Sequence, residues 1–514
     1  MATPDTNIAP EGLTLDQVVA YWAAIRPDRS VLRWGDAQGP HELVWLEFEA
    51  LIAHIAVQLT GAIEINEPVA VICANGAPFH VLVNALWRIG SGVVLIDRNW
   101  GPAIVDDLLG LVGCRTIFAE DGAFALHARP GLSVRAIPTL DGPILASEHC
   151  GANVTQDPDR VAIYATTSGT TDNPKCVAIS HRQIRAAYRT CLSVHDFSQV
   201  GRSACLFDIN SLGVLGVCFL LPREVGAGTT IFPSFSLANV RSTWRAVLED
   251  SIDFVYLVPP LVRLINTLPT QQILGRRLLA FCAAAPIAQE ELRTLEKLFQ
   301  VMVFNCYGLT ELTFAVFFGC RDDDDLASES IGRPLGIEAR LVDDAGHTVV
   351  GPGNGELHIT GPMLTSGYLH NEIATSCIWA NGWLRTGDIA ERKADGRYYI
   401  RGRIKDVVLR GGYTYYLHEL EHYLRRAPNV VDACAFKGRD LPSGDELCVA
   451  VQVATAVEPN VLLQWINSNL GATKSPNALY VWRHGLPRNS NGKILRNELT
   501  RMHVEGTIVR EGAR

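Results

Sequence analysis

The chain is 514 residues long, 48% apolar and 19% charged, with a formal net charge of −9. That length exceeds one ordinary domain, and the apolar share can bury large cores, which excludes a disordered chain. No long basic run offsets the acidic balance, so the composition gives nucleic-acid binding no support.

The thirteen cysteines are scattered without a C-x-x-C pair, a pattern that suits reduced thiols in a cytoplasmic protein better than a disulfide framework or a zinc ribbon. Residues 1–12 are polar and lack a basic-then-apolar leader, so no signal sequence is expected. The longest apolar run, residues 212–222, is too short and too glycine-marked to span a bilayer. The acidic cluster at residues 322–325 reads as a solvated loop.

Apolar periodicity predicts helices over residues 13–26 and 45–60, the second with Phe48, Leu51, Ile52 and Ile55 on one face. A continuous apolar strand at 68–73 leads through Asn75-Gly76 to a helix over 78–89 and a strand at 93–96. This alternation predicts a mostly parallel sheet with helices on both faces. Residues 160–164 read as a short strand, and Ser180-His181-Arg182-Gln183 as a capping box that opens a helix. Between them lies Thr167-Ser168-Gly169-Thr170-Thr171-Asp172-Asn173-Pro174-Lys175. Hydroxyls, free backbone N–H groups, a glycine and a lysine can wrap a polyphosphate. The same residue types also favour an ordinary polar turn, and the pattern G-x-x-x-x-G-K-[ST] is absent here.

Further on, a strand at 254–258 and a helix at 260–268 precede a strand at 278–282 that runs into Ala283-Ala284-Ala285-Pro286. A helix over 288–300 leads to a strand at 301–304, which ends in Asn305-Cys306-Tyr307-Gly308-Leu309-Thr310-Glu311. Open parallel sheets bind ligands beyond the carboxyl ends of their strands, so these turns point to one crevice. From residue 331 the texture changes to short strands at 355–360 and 383–390 and a hairpin around Asp395-Gly396, an antiparallel or barrel-like subdomain. A hinge is placed at residues 402–406. It is followed by an α+β unit with helices at 418–426 and 460–470, strands at 430–436 and 447–453, and the motif Pro487-Arg488-Asn489-Ser490-Asn491-Gly492-Lys493.

Taken in order, these stretches resemble the adenylate-forming superfamily of acyl- and aryl-CoA ligases, peptide-synthetase adenylation domains and luciferases, over about residues 44–499. The resemblance implies an α/β fold. A large N-terminal core would span 1–402, with two mostly parallel sheets flanked by helices and a barrel-like part at about 331–402. A small mobile α+β domain would span 403–514. It implies a ligase that uses ATP and Mg²⁺ to turn a small-molecule carboxylic acid into an acyl-AMP, which a second nucleophile then attacks. In this reading Thr167, Ser168, Gly169, Thr170, Thr171 and Lys175 hold the β- and γ-phosphates. Thr310 contacts the α-phosphate and Glu311 holds Mg²⁺. Asp388, in Thr386-Gly387-Asp388, accepts from the ribose hydroxyls beside Arg403. Ala284, Ala285, Pro286, Asn305, Tyr307 and Gly308 border the adenine, and Lys493 neutralises charge as the α-phosphate is attacked. Phe207, Asp208, Cys282 and Ala283 line the acid pocket, Gly411 and Gly412 the acceptor channel, and Lys405 is the pivot.

The sequence departs from the family's pattern at Asp172 and Cys176, which replace glycines of the phosphate loop. Two non-glycine residues restrict φ, and a carboxylate repels triphosphate, which leaves open a catalytically weak nucleotide-binding paralogue. Leu409 stands where many CoA ligases carry lysine. Asp208 reads either as a helix cap or as a group that orients an amine. His418-Glu419-Leu420-Glu421-His422 matches the zinc-peptidase pattern H-E-x-x-H, yet occupies the family's E-[IL]-E helix start and has no third ligand at a recognisable spacing. The expectation is therefore an acid–thiol ligase. Its acid is aryl or a compact cyclic or short acyl group, and its acceptor is CoA or the phosphopantetheine of a separate carrier protein. A small amine is the alternative acceptor. The protein is expected as a cytoplasmic monomer or homodimer without nucleic-acid or membrane partners.

Overall fold

The computed structural model describes residues 7–36, 39–98, 100–120, 131–140, 157–166, 175–209, 211–269, 278–319, 330–410, 413–441, 444–470, 474–489 and 492–508. The chain divides into two compact units. The first comprises residues 1–328, 334–338 and 360–379; the second comprises 329–333, 339–359 and 380–514.

Two sheets organise the first unit. In one, the spatial order is Ala315–Phe318, Val301–Gly308, Leu278–Cys282, Phe254–Leu257, Arg202–Cys205, Gly228–Ile231, Ser30–Asp36 and Gly39–Val44. Its inner pairs are parallel, and the pair at each end of this series is antiparallel. The other sheet runs Ser133–Ala136, Thr116–Ala119, Pro68–Ile72, Gly92–Leu95, Val161–Thr166 and Cys176–Ser180, parallel except for the last pair. The helix Ala77–Arg88 is buried on nearly every side, as expected of a helix covered by other elements all round. Its buried His80 and Asn84 bond locally: His80 Nε2 lies 3.1 Å from Asn75 Oδ1, and Asn84 Nδ2 donates to the His80 carbonyl, while Asn84 Oδ1 has no partner among the described residues. The predicted capping box is present, with Gln183 N donating to Ser180 Oγ and Ser180 N donating to Gln183 Oε1. In the helix it opens, His181–Leu192, Arg185 makes a buried two-pronged ion pair with Glu224.

Parts of this unit differ from the periodicity reading, which also does not name elements such as Pro102–Val112, Gly228–Ile231 and Val240–Glu249. The strand predicted at 301–304 continues to Gly308, because residues 306–308 pair antiparallel with Ala315–Phe318. Gly308 makes that possible: a β-carbon there would lie 2.1 Å from the Phe314 carbonyl oxygen. The hairpin Ser30–Asp36/Gly39–Val44 is polar on one face and carries no apolar run to announce it. The apolar run at 212–222 is a buried helix with a π-helical turn at Gly216–Leu220. No helix among the described residues is long and apolar enough to cross a membrane.

In the second unit, Gly353–Thr360, Trp383–Arg392 and Tyr398–Arg403 form successive antiparallel pairs, the last a hairpin around Asp395-Gly396 as expected. A further sheet holds Tyr413–Tyr416, Val407–Arg410, Gly444–Val453 and Val430–Leu441, with Ala478–Trp482 parallel to Gly444–Val453. Its strands alternate strictly. Leu447, Val449 and Val451 pack in one core cluster with residues of the helices Leu417–Leu424 and Pro459–Leu470. Cys448 and Ala450 pack in another with Leu499 of Arg496–Val504.

Candidate active site

Glu311 is held from two directions in the first unit. It lies in a single 3₁₀ turn, Thr310–Leu312, directly after the long strand. Its carbonyl oxygen accepts from both N–H and Oγ1 of Thr365. Its carboxylate Oε1 accepts from the Tyr368 hydroxyl at 2.6 Å. Thr313 closes the turn with φ of +65°, a conformation that costs a branched residue energy, and its hydroxyl donates to the Met363 carbonyl. Burial and the adjacent Glu311 carboxylate raise the Tyr368 phenol, so it stays a donor. Lys175 Nζ stands 5.0 Å from the centroid of the same ring, within cation–π range. Among the described residues no hydrogen bond engages Glu311 Oε2. The donor set thus fits a hard divalent cation on a carboxylate oxygen and a phosphate beside an ammonium.

Thr365 and Tyr368 were not singled out from the sequence. Their contacts with Glu311 span more than fifty positions, and no local pattern marks them. Thr167, Ser168, Gly169, Thr170, Thr171 and Asp172 lie outside the described residues, as do Gly411 and Gly412. Cys176, which replaces a glycine, is described: it is fully buried, its carbonyl accepts from Leu369 N, and burial pushes its thiol up to about 12. It fills a core cluster with Ile72, Val94 and Leu108.

The residues expected to line the acid pocket lie at the carboxyl ends of two strands, Arg202–Cys205 and Leu278–Cys282. Phe207 packs edge-on against Phe235 and lies 5.7 Å from the ring of Tyr256, and its carbonyl accepts from Asn75. Asp208 is not the helix cap, because Ser211 caps Leu212–Leu215 through Val214 N. Cys282 and Ala283 end the strand Leu278–Cys282, both buried, and Ala284 adopts φ of +78°. Asn305 and Tyr307 lie within the extended strand, with Tyr307 edge-on to Phe317. A separate cleft of about 280 Å³ beside Asn66, Gly92, Asp157 and Arg160 lies at the amino ends of strands, the wrong end for a ligand of a parallel sheet.

In the second unit Asp388 and Arg403 face each other across an antiparallel pair. Arg403 Nε donates to the buried Asp388 Oδ1 at 2.7 Å. Lys405 is exposed in the turn between Tyr398–Arg403 and Val407–Arg410. Lys493 N–H donates to Asn489 Oδ1, and its carbonyl accepts from Asn489 N. Burial, then the positive charges of Arg403 and Arg496, lower its ammonium to about 8, with Asp406 opposing and Lys405 adding to the shift. Arg496 pairs with Asp406 and Glu421 and donates to the Ala435 carbonyl. Glu421 also accepts from Ala435 N, so it anchors the helix Leu417–Leu424 to the sheet. His418 and His422 form no cluster of potential metal ligands among the described residues.

A family model described as "AMP-binding enzyme" matches residues 19–369. Among curated relatives, a sulfoacetate–CoA ligase of Cupriavidus necator is 29% identical over 455 residues, covering 84% of this chain and 87% of that one. A feruloyl-CoA synthase of an Amycolatopsis species is 26% identical, covering 95% and 99%. Among solved structures, an anthranilate CoA ligase in complex with anthranoyl-AMP superposes with a TM-score of 0.83 at 19% identity, covering 98% of this chain and 99% of that one. An amide bond synthetase from Marinactinospora thermotolerans superposes with a TM-score of 0.79 at 23% identity, covering 95% and 98%. The structural likeness carries the fold, and the family match covers well over half the chain: the protein belongs to the AMP-binding enzymes of the adenylate-forming superfamily and is an ATP-dependent acid ligase.

Proposed function

We propose that the protein adenylates a compact aryl, cyclic or short acyl acid and passes the acyl group to the thiol of CoA. The observation that carries the adenylation half is the anchored Glu311 carboxylate, held by Tyr368 next to Lys175. When bound, Mg²⁺ would neutralise phosphate charge from a position on Glu311. Lys175 is assigned to the β- and γ-phosphates together with Thr167 to Thr171, and Thr310 to the α-phosphate. Asp388, fixed by Arg403, is assigned to the ribose hydroxyls. Ala284, Ala285, Pro286, Asn305, Tyr307 and Gly308 are assigned to the adenine, and Phe207, Asp208, Cys282 and Ala283 to the acid. Lys493 brings positive charge as the acid oxygen attacks the α-phosphorus. The small side chains of residues 283–285 favour a compact acid, and the naming of both curated relatives above as CoA-dependent enzymes favours a thiol acceptor. The division into a core and a mobile domain pivoting at Lys405, with Gly411 and Gly412 in the acceptor channel, belongs to the same proposal, as do a cytoplasmic location and a monomeric or dimeric state.

Asp208 favours a second reading for the acceptor. Ser211 takes the helix cap, which leaves the carboxylate without the structural task that would explain it. It could orient an amine in place of a thiol. The test is a mass-spectrometric screen for acyl-AMP across carboxylic acids without acceptor, followed by CoA and a panel of amines on the best acid. Pyrophosphate release with acyl-CoA formed only when CoA is added is the expected result. Amide formation without CoA turnover would select the second reading, and no acyl-AMP from any acid would reject both.

A further inference from the structure

The strand Gly444–Val453 and the helix Arg496–Val504 bring together three side chains that no sequence spacing announces. Glu446 and Cys448 stand two apart on the strand and therefore share a face. His503, from the helix, places Nε2 2.9 Å from Glu446 Oε2 and 3.6 Å from Cys448 Sγ. One ligand atom from each lies within 4.8 Å of the others. Cys448 is fully buried and His503 nearly so.

Hydrogen bonding alone engages Glu446 and His503 and leaves the Cys448 thiol as a close neighbour. Carboxylate and thiol converge on one ring nitrogen, which carries at most one proton. If Nε2 is protonated, it donates to Glu446 Oε2 while Nδ1 accepts from the Tyr480 hydroxyl, and the Cys448 thiol 3.6 Å away contributes little. If it is not, its lone pair faces the Glu446 carboxylate. Glu446 Oε2 also accepts from Arg439 N, and Arg439 Nη2 donates to the Val504 carbonyl. A cation between the three atoms would engage all of them at once. Thiolate, carboxylate and neutral imidazole sum to two negative charges, which a divalent ion cancels.

The spacing suits zinc. With Zn–S of about 2.3 Å and Zn–N of about 2.0 Å, the edge of a tetrahedron from sulfur to nitrogen is about 3.5 Å. The nitrogen–oxygen edge is about 3.3 Å, a few tenths longer than the observed contact. Room for that adjustment exists because residue 438 is glycine: a β-carbon there would lie 2.6 Å from Glu446 Oε2 and 2.7 Å from Cys448 Sγ. Behind the ring, His503 Nδ1 lies 2.7 Å from the Tyr480 hydroxyl, the kind of outer hydrogen bond that fixes a metal-bound imidazole.

We propose that Glu446, Cys448 and His503 form a zinc(II) site that ties the helix Arg496–Val504 to the sheet, with water as the fourth ligand. Binding releases the Cys448 thiol proton to solvent and leaves the imidazole proton on Nδ1, donating to Tyr480. The H-E-x-x-H pattern at His418 and His422 takes no part. Elemental analysis of the dialysed full-length protein is expected to find about one zinc per chain, lost in Cys448→Ala and His503→Ala and kept in His422→Ala. Tyr480→Phe is expected to weaken zinc binding about tenfold or more. Cobalt(II) added to chelator-treated wild type should give a thiolate-to-cobalt charge-transfer band, and zinc should raise that protein's melting temperature. The wild-type spectrum and melting curve decide the matter even where a variant fails to fold. Absence of the cobalt band, or zinc retained in a folded Cys448→Ala, would overturn the proposal.

Discussion

Lys493 illustrates how one side chain sets two opposite pH dependences. Burial and the cations Arg403, Arg496 and Lys405 lower its ammonium from 10.5 to about 8. Below pH 8 the folded and unfolded chains both hold the proton, and the cost of burying the charge is fully present. Between about 8 and 10.5 the unfolded chain binds more protons, so this group's contribution to stability rises with pH. If adenylation uses this cation as proposed, kcat/KM for acyl-AMP formation should fall as pH rises through about 8, in a window where Lys493 makes the fold no weaker. Lys493→Arg should move that fall to higher pH. Lys493→Ala should reduce acyl-AMP formation on the order of a hundredfold while sparing transfer from preformed acyl-AMP. Equal losses in both half-reactions, in a protein with an unaltered melting curve, would remove Lys493 from the adenylation step. Tyr368 acts through Glu311 rather than on the reactants. Tyr368→Phe should raise the Mg²⁺ concentration needed for half-maximal adenylation about tenfold with little change in the KM for the acid, a split that general destabilisation would not produce. Of these residues, Lys493 and Glu311 were singled out in the sequence because family motifs surround them. Tyr368 was not, because its role depends on a contact fifty-seven positions away.

At the scale of elements, legibility followed the range of the forces involved. The capping box at Ser180 was readable because both of its bonds are local. The strands at 68–72, 92–95, 254–257 and 278–282 were readable because burial on both faces demands continuous apolar runs, whereas Ser133–Ala136, Arg202–Cys205 and Gly228–Ile231 carry polar residues and were not read. Ends decided by a partner strand were not. Val301–Gly308 outran its apolar core, and Val430–Leu441 and Gly444–Val453 extend past their apolar segments into one long hairpin. Cys176 looked like damage to the phosphate loop, yet the structure places it as the first residue of a buried strand, where its side chain packs. Gly308 tests the link between element and site. The β-carbon of Gly308→Ala would strike the Phe314 carbonyl, a backbone atom that cannot turn away, just before the Thr310–Leu312 turn that presents Glu311. We expect a loss of stability of about 1–3 kcal/mol together with a raised KM for ATP·Mg²⁺. A variant with normal melting and normal KM would show that the strand pairing does not position Glu311.

At the scale of the whole molecule, the assigned residues are divided between the two units: Lys175 and Glu311 in the first, Asp388, Arg403 and Lys493 in the second. On the proposed assignments, adenylation would place Lys493 at the α-phosphate, whereas transfer would need the segment with Gly411 and Gly412 to admit the acceptor. One small domain cannot present both to the same crevice at once, so we propose that it alternates between two closed arrangements by rotation at Lys405. The local geometry suits a pivot. Lys405 is exposed in a turn pinned on either side, with Ile404 N donating to the Gly387 carbonyl and Asp406 N to the Arg403 carbonyl. Among the described residues, no backbone acceptor engages Lys405 N itself. Proline at this position therefore removes no such bond and fixes φ near −65°. Lys405→Pro is expected to melt like wild type, to form acyl-AMP at a rate within about threefold of it, and to transfer the acyl group at least about tenfold more slowly. Pre-steady-state measurement of the two half-reactions separates these effects, with a melting curve to register any weakening of the turn. An unchanged transfer rate in the folded variant would mean that the acceptor attacks within a single closed state, and the alternation would have to be abandoned.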